Sequence, residues 1–133
     1  MLKPKVYIKE FNIVREVEVI DFYNEEVLVY VIGVRPRGET AIYSFDEVEF
    51  IENTGMKDKN GNYIYEGDIV TVNGTWDCIV QYNQSNCVFV LKSIDSRWNI
   101  RWSMGYLSNY DDIAETLEVI GNIYENKELV ENA

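Results

Sequence analysis

Apolar and polar residues along most of this 133-residue chain alternate with a period of two, which is typical of β-strands. Val14 to Tyr23 and Glu26 to Val34 are rich in Val, Ile and Tyr, and Asn24-Glu25 separates them, so we predict a β-hairpin. Residues 27–32 are apolar on both faces. This pattern predicts that the second strand is central in its sheet and covered on both sides.

Two further strands are predicted before residue 52. Arg35 to Gly38 breaks the pattern, and Thr40 to Phe45 then has the composition of a strand. Residues 46–52 begin as a tight turn and alternate in part. We expect Val48 and Phe50 to point inward from this last strand.

A glycine-rich segment separates the two halves of the chain. Three glycines fall within 13 residues, at Gly55, Gly61 and Gly67, a density typical of turns. We therefore predict a β-rich N-terminal subdomain over residues 1–53 and a second domain over residues 54–133.

The second half is also predicted to contain hairpins. Asn60-Gly61 favours a type I′ hairpin turn between its flanking segments. Residues 76–82 and 87–92 read as two strands joined by the polar loop 83–86. Successive hairpins predict an antiparallel sheet.

The C-terminal third shows three different patterns. Residues 97–106 alternate most regularly and predict a strand with one buried and one solvated face. Helical spacing occurs between Leu107 and Leu117, where we predict one short helix. Residues 117–124 predict a closing strand, and residues 125–133 a polar tail.

The two cysteines lie in the second predicted hairpin. If residues 83–86 form its loop, Tyr82 lies opposite Cys87 and Cys78 lies opposite Leu91. The cysteines are then about 13 Å apart, at roughly 3.3 Å per residue, whereas a disulfide needs Cα atoms within about 7 Å. We therefore predict two free, mostly buried thiols.

Both halves have a similar order of predicted elements: strands, a hairpin, a strand, a tight or helical turn and a closing strand. This is the order of a small SH3-like barrel. We predict a mainly β protein with one short helix and an SH3-like barrel in the C-terminal half. The N-terminal half is either a second small barrel or another β-rich fold.

The net charge and the absence of histidine reduce the number of function classes that fit this chain. The chain has 12 basic and 23 acidic residues, a net charge of −11, which disfavours binding to nucleic acid. Histidine, the commonest general base and catalytic metal ligand, is missing. Two cysteines are too few for a four-cysteine zinc site. We predict neither an enzyme nor a protein with a metal or other cofactor.

The expected location is the cytoplasm. No segment is long and apolar enough to span a membrane, and the first residues lack the apolar stretch of a secretory signal. Two unpaired thiols agree with a reducing compartment.

Two segments of the second half resemble motifs of a known family. Residues 54–70 read TGMKDKNGNYIYEGDIV and closely resemble the TGLKDKNGxxIYEGDIV signature of YopX-like proteins, with Met56 in place of Leu. Residues 117–126, LEVIGNIYEN, are similar to the closing motif of that family. The signature residues are Thr54, Gly55, Lys57, Asp58, Asn60, Gly61, Tyr65, Glu66, Gly67 and Asp68.

The resemblance implies a phage or prophage protein with small SH3-like barrels, and it assigns no molecular activity. It covers about residues 50–130. The first 50 residues depart from the usual start of the family. This is where we expect a partner specific to this protein to bind.

The signature has a superficial likeness to a calcium loop. Residues 58–62 place side-chain oxygens at alternate positions. Positions 6 and 12 of such a loop would be Tyr63 and Ile69 instead of Gly and Glu. We interpret the segment as a turn.

Aromatic residues of the second half form the candidate binding surface. All three tryptophans fall between residues 76 and 102. SH3-like domains bind peptides in aromatic grooves, and small barrels also stack single-stranded bases on aromatic side chains. The alternative is that these tryptophans fill the core of a small barrel. The candidate binding residues are Trp76, Arg97, Trp98, Arg101 and Trp102.

We therefore expect a phage or prophage accessory protein in the cytoplasm of a bacterial host cell. The leading hypothesis is a non-enzymatic module that binds a host or phage protein and self-associates through edge strands. The alternative is an acidic mimic of DNA that inhibits a DNA-binding protein. The charges for such mimicry would come from Glu16, Glu18, Glu47, Glu49 and Glu52.

Overall fold

The computed structural model describes residues 2–31, 39–95, 97, 101–104 and 116–131, with the backbone alone at 101–103. The chain divides into two compact units, Met1–Glu52 and Asn53–Ala133. More than half of the described residues lie in β-strands, which confirms the mainly β class.

The first unit is a five-stranded antiparallel sheet. Its strands are β1 (Lys5–Ile8), β2 (Ile13–Asp21), β3 (Glu26–Tyr30), β4 (Thr40–Ser44) and β5 (Val48–Ile51). The strand order is β4-β3-β2-β1-β5, and a 3-10 helix (Phe45–Glu47) joins β4 to β5. The predicted first hairpin is confirmed as β2–β3, and its turn spans residues 22–25.

A bulge in β2 decides which side chains of the first unit reach the core. Val17 lies opposite Val29, but Val19 lies opposite Leu28, so Glu18 is an extra residue in β2. Val17 and Val29 are buried, whereas Val19 is 52% exposed. The buried core consists of Val6, Ile8, Val17, Val27, Val29, Val31, Ala41, Tyr43 and Val48.

One expectation for the first half is wrong. The strand β3 is an inner strand, second from the β4 edge, but its face opposite the core is open to solvent, and Tyr30 is 45% exposed. Phe50 lies opposite buried Val6, on the core side of β5 as expected, although it is 37% exposed.

The second unit contains a five-stranded and a two-stranded sheet. Its strands are β6 (Asn53–Lys57), β7 (Tyr63–Tyr65), β8 (Asp68–Val72), β9 (Trp76–Asn83), β10 (Val88–Ser93), β11 (Arg101–Ser103) and β12 (Leu117–Asn122). The larger sheet has the order β11-β10-β9-β8-β12, and β6 pairs with β7. In each five-stranded sheet, the strand that comes last along the chain therefore pairs with the strand that comes first.

The core of the second unit lies mainly on one face of its larger sheet. Its buried residues are Ile64, Val70, Cys78, Val80, Leu91, Met104 and Leu117. Among the described residues, neither five-stranded sheet closes into a barrel.

The closing strand is confirmed as β12. The helix predicted between Leu107 and Leu117 lies outside the described residues as far as residue 115, and Leu117 begins β12. In the segment predicted to be a tail, residues Glu128–Glu131 form a short α-helix, α1.

The turns of the second unit differ from the expected ones. The segment between β6 and β7 spans residues 58–62. Gly61 has a φ of 82°, whereas the φ of Asn60 is not positive. A type I′ turn needs positive φ at both central residues, so that prediction is wrong.

The β9–β10 hairpin is confirmed, but its register is two residues from the expected one. Asn83 lies opposite Val88, and Phe89 lies opposite Tyr82. Cys87 consequently belongs to the turn, with a φ of 54°. Both cysteines are free as predicted, but only Cys78 is buried, whereas Cys87 is exposed.

Candidate functional site

The described residues do not bring the predicted binding residues together. Trp76 begins β9 opposite Val72 and is half-buried. The backbones of Arg101 and Trp102 lie in β11, opposite Lys92 and Leu91 of β10. Trp98 lies outside the described residues.

Arg97 pairs with a neighbouring carboxylate. Its Nη2 lies 2.7 Å from Oδ2 of Asp95, and its Nε lies 3.0 Å from Oδ1. The hydrogen bonds from Arg97 lower the pKa of the Asp95 carboxyl. Since the guanidinium is already satisfied locally, Arg97 is a poor receptor for an external anion.

Asp58 of the signature is a buried structural carboxylate. It is only 4% exposed. Its Oδ1 accepts hydrogen bonds at 3.0 Å from the backbone amides of Asn60 and Asn62, and its Oδ2 accepts one at 3.1 Å from Val119 of β12. The carboxylate therefore shapes its own loop and attaches that loop to the closing strand. This confirms the interpretation as a turn and leaves no oxygen of Asp58 directed at a ligand.

The loop makes two further contacts with β12. The amide of Lys59 donates to the carbonyl of Leu117 at 2.9 Å. The ammonium of Lys59 lies 2.8 Å from the carboxylate of Glu118. These bonds use the Leu117 carbonyl and the Glu118 carboxylate, on the side of β12 that does not pair with β8.

Other signature residues hold the β6–β7 hairpin together. The hydroxyl of Thr54 donates to the carbonyl of Ile64 at 2.7 Å, and the ammonium of Lys57 lies 5.0 Å from the centre of the Tyr63 ring. The amide of buried Tyr65 donates to Oδ2 of Asp68 at 2.8 Å. Gly55 has a positive φ and Glu66 is half-buried.

Gly67 connects the signature to the closing motif. Its φ is 85°, and a Cβ atom there would lie 3.0 Å from Cε2 of Tyr124. Its amide donates to Val80 and its carbonyl accepts from Ile123, at 2.7 and 2.9 Å. The two motifs that carry the family resemblance are thus one bonded structure, which we call the motif clasp, residues 54–70 with 117–126.

An apolar row on the first unit was not predicted as a site. Val19 lies opposite Leu28, and Leu28 lies opposite Ile42. The three side chains cross β2, β3 and β4 on the face opposite the core, and Ile42 is 63% exposed. They line a groove of about 180 Å³ together with Asp21, Glu26 and Val27. We call Val19, Leu28 and Ile42 the apolar row.

Asp21 and Glu26 give the groove an acidic border, and exposed aromatic residues lie in the adjoining turn. The amide and side chain of Asn24 donate to the carboxylate of Asp21 and lower the pKa of Asp21. Phe22 is 77% exposed in the adjoining turn and contacts the ring of Phe45 edge to face, at 6.1 Å between centroids. Neighbouring Tyr23 is also exposed.

The two thiols differ in environment, which predicts different reactivity. Burial, with a smaller contribution from the charge of Asp77, raises the pKa of Cys78 to about 11. Since the thiolate is the reactive form, Cys78 stays inert in the folded protein at mildly alkaline pH. A thiol reagent should modify Cys87 rapidly, and Cys78 only on unfolding. Replacing Cys87 with Ser should abolish the rapid phase, and two equal rates in folded protein would contradict the structure.

The described residues provide no other recognisable chemistry. They contain no cluster of three or more Cys, Asp or Glu residues suited to a metal ion. Among the same residues, no helix has the length and apolar character needed to cross a membrane.

Comparison with known proteins confirms the family resemblance. The family model described as YopX protein matches residues 5–131. The crystal structure of protein EF1440 from Enterococcus faecalis is similar over 98% of both chains, with a TM-score of 0.56 and 21% sequence identity. At this identity the likeness concerns the fold alone. No curated protein matches the chain.

Proposed function

Because the chain belongs to the YopX protein family, we propose that it is a phage- or prophage-encoded accessory protein that acts as a non-enzymatic protein-binding module. The observation that carries this proposal is the apolar row, in which Val19 and Ile42 are exposed and Leu28 is half-buried. Three apolar side chains in one line across a sheet are a surface that a partner protein can cover.

We propose an SH3-like fold for each unit, with domains over residues 1–53 and 54–133. The strand order supports this, since the first and last strands pair in both sheets. In the first unit, residues 13–16 of β2 pair with β1, and residues 17–21 pair with β3. A long strand shared in this way and a short helix before the closing strand are typical of SH3-like barrels.

The proposed partner is a host or phage protein with an apolar side chain flanked by Lys or Arg. The apolar part would enter the groove, and the cationic groups would lie beside Glu26 and Asp21 at its border. The net charge of −11 favours such a partner over an acidic one and disfavours nucleic acid. We place this encounter in the host cytoplasm.

The aromatic residues of the second half remain a second candidate contact region. Trp76 begins β9, the middle strand of the larger sheet, and the backbones of Arg101 and Trp102 lie in its edge strand β11. Trp98 belongs to this proposal by sequence alone. Arg97 contributes less to this proposal because it pairs with Asp95.

Mimicry of DNA is the weaker candidate. It requires free carboxylates spaced along one surface like phosphates. Several carboxylates have other partners: Glu47 accepts from the amide of Ser44, Glu118 pairs with Lys59, and Asp95 pairs with Arg97. Glu16 lies directly opposite Lys5 in the β1–β2 pair. Glu47, Glu118 and Asp95 therefore make contacts within their own unit.

Photo-crosslinking tests whether the apolar row contacts a partner. A photoreactive phenylalanine replaces Val19 in one variant and Ile120 in another, since Ile120 is an equally apolar strand residue that is 41% exposed. Irradiation in infected cells should give a covalent adduct with another protein from position 19. Crosslinks only from position 120, or only between copies of the chain, would contradict the proposal.

A charge substitution supplies an independent check of the same surface. Val19→Lys adds an ammonium group to the groove, which repels the cationic groups of the proposed partner, and should weaken capture of the crosslinked partner about tenfold or more. Ile120→Lys is the matched control and should leave capture unchanged. Equal losses in both variants would show a general effect of charge instead of a site.

A further inference from the structure

Among the described residues, β4 is an edge strand of the first sheet and contains no charged residue. In the part of the chain that the structure describes, the edge strands of the two larger sheets are β4, β5, β11 and β12. Each of β5, β11 and β12 carries a charged residue, and β4 (Thr40–Ser44) carries none. Charged residues are a common means by which proteins prevent edge strands from pairing with another chain.

The backbone pattern shows which groups of β4 point outward. The amide of Val31 donates to the carbonyl of Glu39, and the amide of Phe45 donates to the carbonyl of Glu25. Alternation along an antiparallel pair then directs the backbone groups of residues 39, 41, 43 and 45 toward β3. Those of Thr40, Ile42 and Ser44 point to the open edge.

One outward group is already used within the chain. The amide of Ser44 donates to Oε1 of Glu47 at 3.0 Å. Within the part of the chain that the structure describes, the amides and carbonyls of Thr40 and Ile42, and the carbonyl of Ser44, have no hydrogen-bond partner. The closing strand β12 of the second unit differs. Asp58 and Lys59 form hydrogen bonds with its edge groups at Val119 and Leu117.

We propose that β4 pairs antiparallel with β4 of a second copy of this chain, about a twofold axis at Ile42. The two Ile42 residues would exchange amide-to-carbonyl bonds, and each Thr40 amide would donate to the partner copy's Ser44 carbonyl. In this register the partner copy's Thr40 carbonyl takes the place of Glu47 as the acceptor of the Ser44 amide.

The paired strands themselves place no like charges opposite each other in this register. Thr40 faces Ser44, and Ala41 faces Tyr43. Asp21 and Glu26 lie beside Ser44, at the end of β4 that is distant from the same residues of the partner copy. The apolar row would extend from three side chains to six in one sheet. This inference does not depend on the proposed function.

Sedimentation velocity of the full chain tests the proposed dimer. The wild-type protein should pass from monomer to dimer as its concentration rises. Ile42→Lys places two ammonium groups at the twofold axis and should keep the protein monomeric, whereas Ile120→Lys should leave the dimer unchanged. Raising the salt concentration should strengthen association, because two chains of charge −11 repel. A wild-type monomer at every concentration, or an Ile42→Lys dimer, overturns the proposal.

Disulfide trapping tests the register without depending on lost association. In a Cys87→Ser background, Ile42→Cys places two sulfurs at the axis, with Cα atoms about 5.5 Å apart and within reach of a bond. Thr40→Cys is the control, since its two copies would be about 13 Å apart at roughly 3.3 Å per residue. Mild oxidation should yield a covalent dimer from position 42 alone. Equal yields from both positions overturn the register.

Discussion

Asp58→Asn is expected to lower the free energy of unfolding of the second unit by about 2–4 kcal/mol. The carboxylate accepts three backbone amides and is nearly inaccessible to solvent. An asparagine keeps the shape but replaces one acceptor with an NH₂ donor, so at least one amide faces a donor. Hydrogen bonds to a charged acceptor contribute more than neutral ones, and buried unpaired groups are costly.

Tryptophan fluorescence during urea unfolding measures this effect selectively. All three tryptophans lie in the second unit and none in the first, so the signal reports only the unit that contains Asp58. Asp77→Asn is the matched control, because Asp77 is exposed in β9 of the same unit. Its effect should stay within about 0.5 kcal/mol. Equal stability losses in both variants would contradict the structural role of Asp58.

Gly67→Ala is expected to destabilise the second unit by about 2–3 kcal/mol, through two separable causes. The φ of 85° disfavours any side chain, and the added Cβ would lie 3.0 Å from the Tyr124 ring and 3.4 Å from Ile123. Gly74→Ala isolates the first cause, because Gly74 has a φ of 68° and open space around it.

The difference between the two alanine variants measures the close contact. Gly74→Ala should cost about 1 kcal/mol, as expected for backbone conformation alone. Both values come from the same fluorescence-detected urea unfolding. If Gly67→Ala and Gly74→Ala lose equal stability, Tyr124 is not packed against Gly67 as the structure places it.

Local patterns predicted the elements of the fold better than their registers. The hairpins β2–β3 and β9–β10 and the closing strand β12 follow from composition and turn residues within short segments. The β9–β10 register differs because Cys87 adopts a positive φ that favours glycine or asparagine, so nothing in the sequence placed it in the turn.

The apolar row escaped prediction because of a single extra residue. In a regular strand Val17 and Val19 share a face, and both would be assigned to the core. The bulge at Glu18 turns Val19 outward, next to Leu28. Bulges of this kind depend on the partner strand, so a period-two pattern within one segment does not reveal them.

The role of Asp58 depends on a contact that is distant in the chain. Its bond to Val119 spans 61 residues. The signature indicated a turn from its own residues, and the turn is correct. The connection to the closing motif requires the three-dimensional arrangement of β8 and β12, which no spacing within residues 54–70 encodes.

The pairing of first and last strands has a consequence for synthesis on the ribosome. The first unit has all five strands once residue 51 has left the ribosome. The strand β8 gains its pairing partner β12 only after residues from Leu117 onward have been synthesised. Until then the mostly buried residues of β8 lack their neighbour on one side. A nascent chain that stalls between these points exposes an apolar strand edge, and such intermediates are substrates for chaperones and proteases. Complete translation is therefore a condition for a stable second unit, while the sheet of the first unit requires only its own 52 residues.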